Sequence, residues 1–176
     1  MKRKLLQVLA LGLTVVLAVS CGSSKPVRFE SKAGKFAVMS PVTLGEDSRA
    51  IETPGGTVTL HMFMGERNDV SYGIMYCDYG SVTLPEMTLE ERLDGGRDGA
   101  VANVGGHLIS EKSISLDGNP GRDISVGTSK YGAEGICRAR IFAVGKKLYQ
   151  MIVAGPAASM NDPQIDQFLQ SLELLK

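Results

Sequence analysis

Cys77 and Cys137, His61 and His107, the carboxylates Glu90, Asp94 and Asp98, and the arginines Arg122, Arg138 and Arg140 are side chains of this sequence with chemistry in reach. A catalytic thiol needs a base to draw off its proton. Neither cysteine has a histidine beside it in the chain, and no CxxC pair occurs. Each sits alone in a strand-like run, so both are expected as buried free thiols that pack as small apolar groups. A Cys77–Cys137 disulfide is the alternative if the compartment is oxidising. Zinc asks for several nitrogen or sulfur ligands at close spacing, which two histidines on different elements do not supply. His61 alternates with Thr57 and Thr59 and reads as a partly exposed strand residue. Glu90, Asp94 and Asp98 recur every fourth residue and form one acidic stripe on a helix. Calcium prefers six to eight oxygens from a tight loop, so the stripe reads as a solvated face beside Arg92 and Arg97. Arg138 and Arg140 share one strand face, and Arg122 opens a neighbouring run. Together they are a candidate surface for an anionic group such as a lipid headgroup or glycan carboxylate; an exposed face of mixed charge is the plainer reading. Tyr72, Tyr76 and Tyr79 either line a pocket or pack in a core. No GxSxG, SxxK, HExxH or Walker pattern is present. No enzyme activity, metal or cofactor is expected.

The strongest chemical signal is Cys21. Lys2, Arg3 and Lys4 form a cationic start, and Leu5 to Val19 is apolar apart from Gln7, Gly12 and Thr14. Fifteen residues at about 1.5 Å each reach roughly 23 Å, short of the about 20 residues that a spanning helix needs. The stretch fits a secretory leader better. Leu17-Ala18-Val19-Ser20-Cys21 resembles the lipobox of bacterial lipoproteins, in which the thiol takes a diacylglycerol and the peptide bond before it is cut. The resemblance implies residues 1–20 as leader, a lipidated Cys21 and a tether through residue 26. Each buried methylene contributes about 0.8 kcal/mol, so two or more chains on Cys21 hold a protein at a membrane. Gly22 rather than Asp after the cysteine implies export to the outer membrane if the organism has two. The expected place is a membrane-anchored, extracytoplasmic or periplasmic one.

Composition narrows the rest. With 43% apolar and 22% charged residues and 21 Gly, the chain is neither collagen-like, coiled coil nor disordered. Its 19 basic and 19 acidic groups cancel, whereas a nucleic-acid binder usually carries a basic excess. Without Lys2, Arg3 and Lys4 the mature chain has 16 basic against 19 acidic groups, a net charge of −3. The length accommodates one domain, expected over residues 27–176.

Strand signals dominate that domain. Val27 to Phe29 and Lys35 to Met39 are short extended runs. Arg49 to Thr53 turns at Pro54-Gly55-Gly56 into Thr57 to Met64, a hairpin. Ser71 to Tyr79 is apolar on both faces and reads as a covered, central strand. Thr88-Leu89-Glu90-Glu91 is a capping box ahead of a helix carrying Leu89, Leu93, Ala100, Val101 and Val104. Gly95, Gly96 and Gly99 weaken that helix and let it lie close on a sheet. His107 to Leu116 with Arg122 to Gly127, and Glu134 to Val144 with Lys147 to Ala154, read as two more hairpins. Asp162-Pro163 is a cap followed by Pro at the first helical position, with Ile165, Phe168, Leu169 and Leu172 as the apolar stripe. Hairpins imply an antiparallel sheet, and two helices cover it: an α+β sandwich.

Several of these runs together are similar to a known family. Pro54 to Met64, Tyr72 to Tyr79, Leu93-Asp94-Gly95, Asp117-Gly118-Asn119-Pro120-Gly121-Arg122-Asp123, Arg138 to Val144, Leu148-Tyr149-Gln150 and Phe168-Leu169-Gln170-Ser171-Leu172 resemble the PsbP-like α/β/α sandwich superfamily, whose bacterial branch includes small lipoproteins of the DcrB type. The resemblance implies a central antiparallel sheet flanked by helices. It brings no catalytic motif, and fold alone does not fix function. In Gly121-Arg122-Asp123 the glycine reads as a turn residue and the charged pair as a strand start. The leading expectation is a lipoprotein whose non-enzymatic domain binds or supports an envelope protein. The alternatives are a carrier of a small ligand or ion, using a pocket between sheet and helix, and an enzyme without a recognisable motif. Convergent polar groups in a cavity favour the carrier; an exposed apolar patch favours the protein partner.

Overall fold

The computed structural model describes residues 25–53, 56–81, 88–131 and 134–176. The leader, Cys21 and most of the tether lie outside the described residues. A large sheet is built from β3 (Gly45–Thr53), β4 (Gly56–Arg67), β5 (Val70–Asp78), β6 (His107–Leu116), β7 (Asn119–Thr128), β8 (Gly135–Val144) and β9 (Lys147–Pro156). Its spatial order is β3-β4-β5-β9-β8-β7-β6, antiparallel at every step. The connections β3–β4, β4–β5, β6–β7 and β8–β9 are hairpins, so most neighbours in space are neighbours in sequence. At the tip between β6 and β7, Asp117 and Gly118 both take positive φ, +50° and +79°. That pair is the mirror-image turn that matches strand twist.

Alternation along each strand divides the side chains between two layers. On one face, Tyr72, Ile74 and Tyr76 of β5 and Tyr149, Met151 and Val153 of β9 pack against α2 (Pro163–Leu169) and a second, smaller sheet. This sheet comprises β1 (Val27–Ser31), β2 (Phe36–Ser40) and β10 (Glu173–Leu174), with β2 in the middle. Phe36 is fully buried there, edge-on to Phe63, Tyr76 and Tyr149. Tyr149 takes its phenol into this layer and donates to the Gly34 carbonyl at 2.7 Å. Ser171 closes the layer: it accepts from the Met39 amide at 2.9 Å and donates to the Phe168 carbonyl at 2.8 Å. This gives the Phe-x-x-Ser-Leu tail a structural reason.

On the opposite face lies α1 (Leu89–Asn103), whose Leu93, Ala100 and Val104 pack on Ile124, Val126, Ala139 and Ile141. Its capping box is complete. The Glu91 amide donates to the Thr88 hydroxyl at 3.2 Å, and the Thr88 amide donates to the Glu91 carboxylate at 2.8 Å. Asp162 accepts from the Gln164 amide ahead of Pro163, as expected for α2. Helices therefore flank a central antiparallel sheet on both faces. The small sheet is an addition that the hairpin pattern did not announce.

One local expectation is corrected. Gly121 is not a turn residue but lies within β7, paired with Phe142. A Cβ there would stand 2.5 Å from the Ile141 carbonyl oxygen and 2.5 Å from the Phe142 ring. Close packing, not φ, requires the glycine.

Candidate functional site

Register decides the fate of the basic candidates. β7 pairs with β8 so that Arg122 lies opposite Ile141 and Asp123 opposite Arg140. Arg122 consequently points to the α1 face, and Arg138 and Arg140 point to the α2 face. The expected three-arginine surface does not form. Each guanidinium is also already neutralised. Arg122 meets Glu90 at 2.8 Å, Asp94 at 2.7 Å and Glu111. Arg140 holds Asp123 at 2.9 Å, and Arg138 holds Asp166 of α2 at 2.7 Å. The acidic stripe of α1 has the same explanation: Glu90 and Asp94 grip Arg122, while Asp94 and Asp98 grip Arg97 at 3.0 and 2.8 Å. The stripe remains solvent-exposed, as expected, and through Arg97 and Arg122 it also bridges α1 to β6–β7.

The cysteines sit apart. Cys77 aligns with Leu148 on β9, and Cys137 aligns with Ala154 on the same strand. Six residues along a strand are about 20 Å, whereas a disulfide needs Cα atoms within about 7 Å. Both thiols are free and buried, which removes the bridge. Burial pushes the Cys137 thiol up to about 12 and also raises Cys77. The histidines are remote: His61 stacks on Tyr76 at 4.6 Å on the other face, and His107 is on edge strand β6. Tyr72 and Tyr76 are core residues.

Of the residues that do converge, sequence singled out Cys77, Tyr79 and the helix glycines, but neither Arg49 nor Gln150. α1 covers β7, β8 and β9 but leaves the β3–β5 side of the same face open. Between helix and sheet runs a cleft of about 420 Å³, within the usual range of small-molecule sites. Its sheet wall is Ile51, Leu60, Met75, Cys77 and Leu148. Its helix wall is Arg92, Gly95, Gly96, Gly99 and Ala102, a single stripe at helical spacing. Gly96 touches the sheet, since a Cβ would come within 3.1 Å of Ile141 and 3.2 Å of Leu148. At Gly95 and Gly99 a Cβ would meet nothing within 4 Å. One glycine thus lets the helix approach, as expected, and the other two hollow out the space beside it.

The polar groups in this cleft are unusual for the molecule. Among the described residues, Arg28, Arg67, Arg97, Arg122, Arg138 and Arg140 all have carboxylate partners. Arg49 and Arg92 have none, and both line the cleft, where no Asp or Glu does. Arg92 donates from one terminal nitrogen to the Gly145 carbonyl at 2.7 Å. Its Nε and the Gln150 Nε2 are buried donors without an acceptor, as is Arg122 Nε outside the cleft. Such groups are rare in folded proteins and call for an explanation. The Tyr79 hydroxyl hydrogen-bonds with the Cys77 thiol at the cleft wall, and burial pushes the phenol up to about 12. A signal was present in the sequence: Arg92, Gly95 and Gly99 fall on one helical face. Their partner Arg49 sits on a strand far away in the chain, which hides the pairing.

A larger cleft of about 560 Å³ lies by Lys25, Val27 and Val42, but its Arg28 and Arg67 are paired to Glu173 at 2.7 Å and Asp162 at 3.6 Å.

Solved structures share this architecture. The chain is similar to the PsbP protein of the cyanobacterium Synechocystis sp. PCC 6803 (CyanoP), with 14% identity over 88% of this chain and 95% of that one and a TM-score of 0.58. It also matches PA94, a protein of unknown function from Pseudomonas aeruginosa, with 8% identity over 77% of this chain and 86% of that one and a TM-score of 0.41. No protein-family model and no curated protein matches the chain. Layers, strand order and the CyanoP superposition agree: the chain has a PsbP-like fold.

Proposed function

We propose that this chain is a lipoprotein, held at an envelope membrane by acyl chains on Cys21, whose PsbP-like domain binds a small ligand in the cleft beneath α1. The observation that carries the reading is a pair of arginines without carboxylate partners, Arg49 and Arg92, in the wall of a largely apolar cleft that no acidic side chain lines. A protein-docking face has less support. Among the described residues the exposed large apolar side chains, Val27, Met64, Leu89, Leu108 and Ile109, are spread over four elements. Binding without catalysis fits the same wall. The one thiol in it, Cys77, is kept protonated by burial, and a protonated thiol is a poor nucleophile.

Gly99→Leu provides the test. The site has room for a side chain, and replacing Gly within a helix favours the helix, so the variant fills the cleft without opposing the fold. Organic extracts of the full chain isolated from native membranes are compared by mass spectrometry. A small molecule enriched with wild type and missing from Gly99→Leu is the expected result. Identical extracts would remove the cleft from consideration.

A further inference from the structure

We propose that the ligand of this cleft is a single-chain amphiphile with an anionic head, a carboxylate or a phosphate; the inference rests on the ligand-binding reading above and names its chemistry. Charge selects the head. The two described arginines that lack a carboxylate partner face the same cavity, and no acidic side chain lines it. An arginine left unpaired in a partly buried cleft is the ordinary recognition element for carboxylate and phosphate oxygens.

The two cations act on one pair of side chains. Arg49 is close enough to act on the Cys77 thiol, and Arg92 on the Tyr79 phenol that bonds to that thiol. A head placed between them takes charged hydrogen bonds from both guanidiniums. Shape selects the tail. The Arg49 row of the sheet continues through Leu60, Cys77 and Leu148, with Met75 and Gln150 one row further, and the helix wall facing them includes Gly95, Gly99 and Ala102. That wall is mainly apolar, and at Gly95 and Gly99 the helix presents no side chain to it. It suits a flexible hydrocarbon chain better than a polar or branched body, and each methylene that enters tightens binding about fourfold.

The experiment uses the full chain in phosphatidylcholine nanodiscs and three photoreactive diazirine probes of equal length: a dodecanoate, a dodecyl phosphate and a dodecanol. Labelled peptides are mapped and quantified by mass spectrometry at subsaturating probe. The expected result is labelling of the Leu60 and Met75 segments by either acidic probe, at least tenfold above the alcohol. Arg49→Gln and Arg92→Gln should each lower acid labelling by about tenfold or more and leave the alcohol unchanged. Equal labelling by acid and alcohol in the wild type, or full acid labelling in the double variant, overturns the anionic head while leaving a neutral-ligand cleft intact. Persistence of every label in Gly99→Leu overturns the cleft itself. The two failures are therefore separable. Arg49 is exposed, so its substitution tests the head without disturbing the core.

Discussion

Cys77 and Cys137 behave as core atoms because nothing near them favours a thiolate. Burial is the first cause of the rise at each. At Cys77 the Tyr79 hydroxyl and Arg49 pull the other way and do not cancel it. Alkylation of Cys137 in the folded chain at mildly alkaline pH should be at least about 100-fold slower than in the unfolded chain, because the reagent must wait for the structure to open. Unfolding without reductant should reveal both thiols as reactive. Cys77 lines the cleft, and an alkylation rate there that stays constant as pH falls toward neutral would mean an ionised thiol and reopen the case for nucleophilic chemistry. At this scale the sequence was a fair guide, since isolation in strand-like runs already suggested inert thiols. The failure at Gly121 has the opposite lesson. A glycine in Asn-Pro-Gly reads as a turn by local chemistry, but the ring of Phe142, distant in the chain, decided its role.

Between helix and sheet the decisive interaction is the clamp around Arg122. Its side chain is 15% exposed and Glu111 is 20% exposed, with Arg97 on the other side of Glu111 at 3.3 Å. Arg122→Ala removes a largely buried guanidinium, but Arg97 still holds Glu111 and Asp94, so the loss is that of charge-assisted hydrogen bonds, about 2 kcal/mol. Arg138→Ala breaks a single pair with Asp166, which is 57% exposed, and should cost less than about 1 kcal/mol. Urea unfolding of the two variants checks the contrast; equal midpoints would show that the clamp contributes nothing special.

Acid should loosen the same helix. The Thr88 amide and hydroxyl hold the Glu91 carboxyl below its ordinary value of 4.5, and Arg97 holds Asp98 below 3.8. A carboxyl depressed on folding stabilises fully above its unfolded value, and that contribution drains as pH falls through the lower folded value. The Tm gap between wild type and Glu91→Ala should therefore be full near neutral pH and close as pH drops below 4.5. A gap that is constant with pH would assign Glu91 a purely conformational role.

Element-level features were legible where neighbours in sequence decide them. Thr88 to Glu91, Asp162-Pro163 and the hairpin tips are of this kind. The grouping of Arg122 with Arg138 and Arg140 was not, because a strand side chain takes its face from register, and register is set by the partner strand. The small sheet was illegible for a related reason. β10 is two residues long, too short to show a period, and its pairing of Glu173 with Ala37 joins opposite ends of the domain.

For the whole molecule, attachment is the first thing to check. Cys21→Ser removes the only atom that the lipobox pattern offers for acylation, so metabolic labelling with a palmitate analogue should vanish and the protein should leave the membrane fraction. Unchanged labelling and sedimentation would end the lipoprotein reading, though not the cleft. The sandwich also has two distinct sides. The small sheet and α2 lie on one side of the large sheet, and the cleft and α1 lie on the other.

That separation has a mechanical meaning. A pull arriving from the N-terminal side is delivered at Val27, the free end of a five-rung ladder that runs from Val27–Ser40 to Ser31–Phe36. Such a ladder peels one rung at a time and lets out about 17 Å of slack at 3.3 Å per residue. None of those rungs belongs to the seven-stranded sheet, so strain taken up along β1 does not run through the strands that wall the cavity.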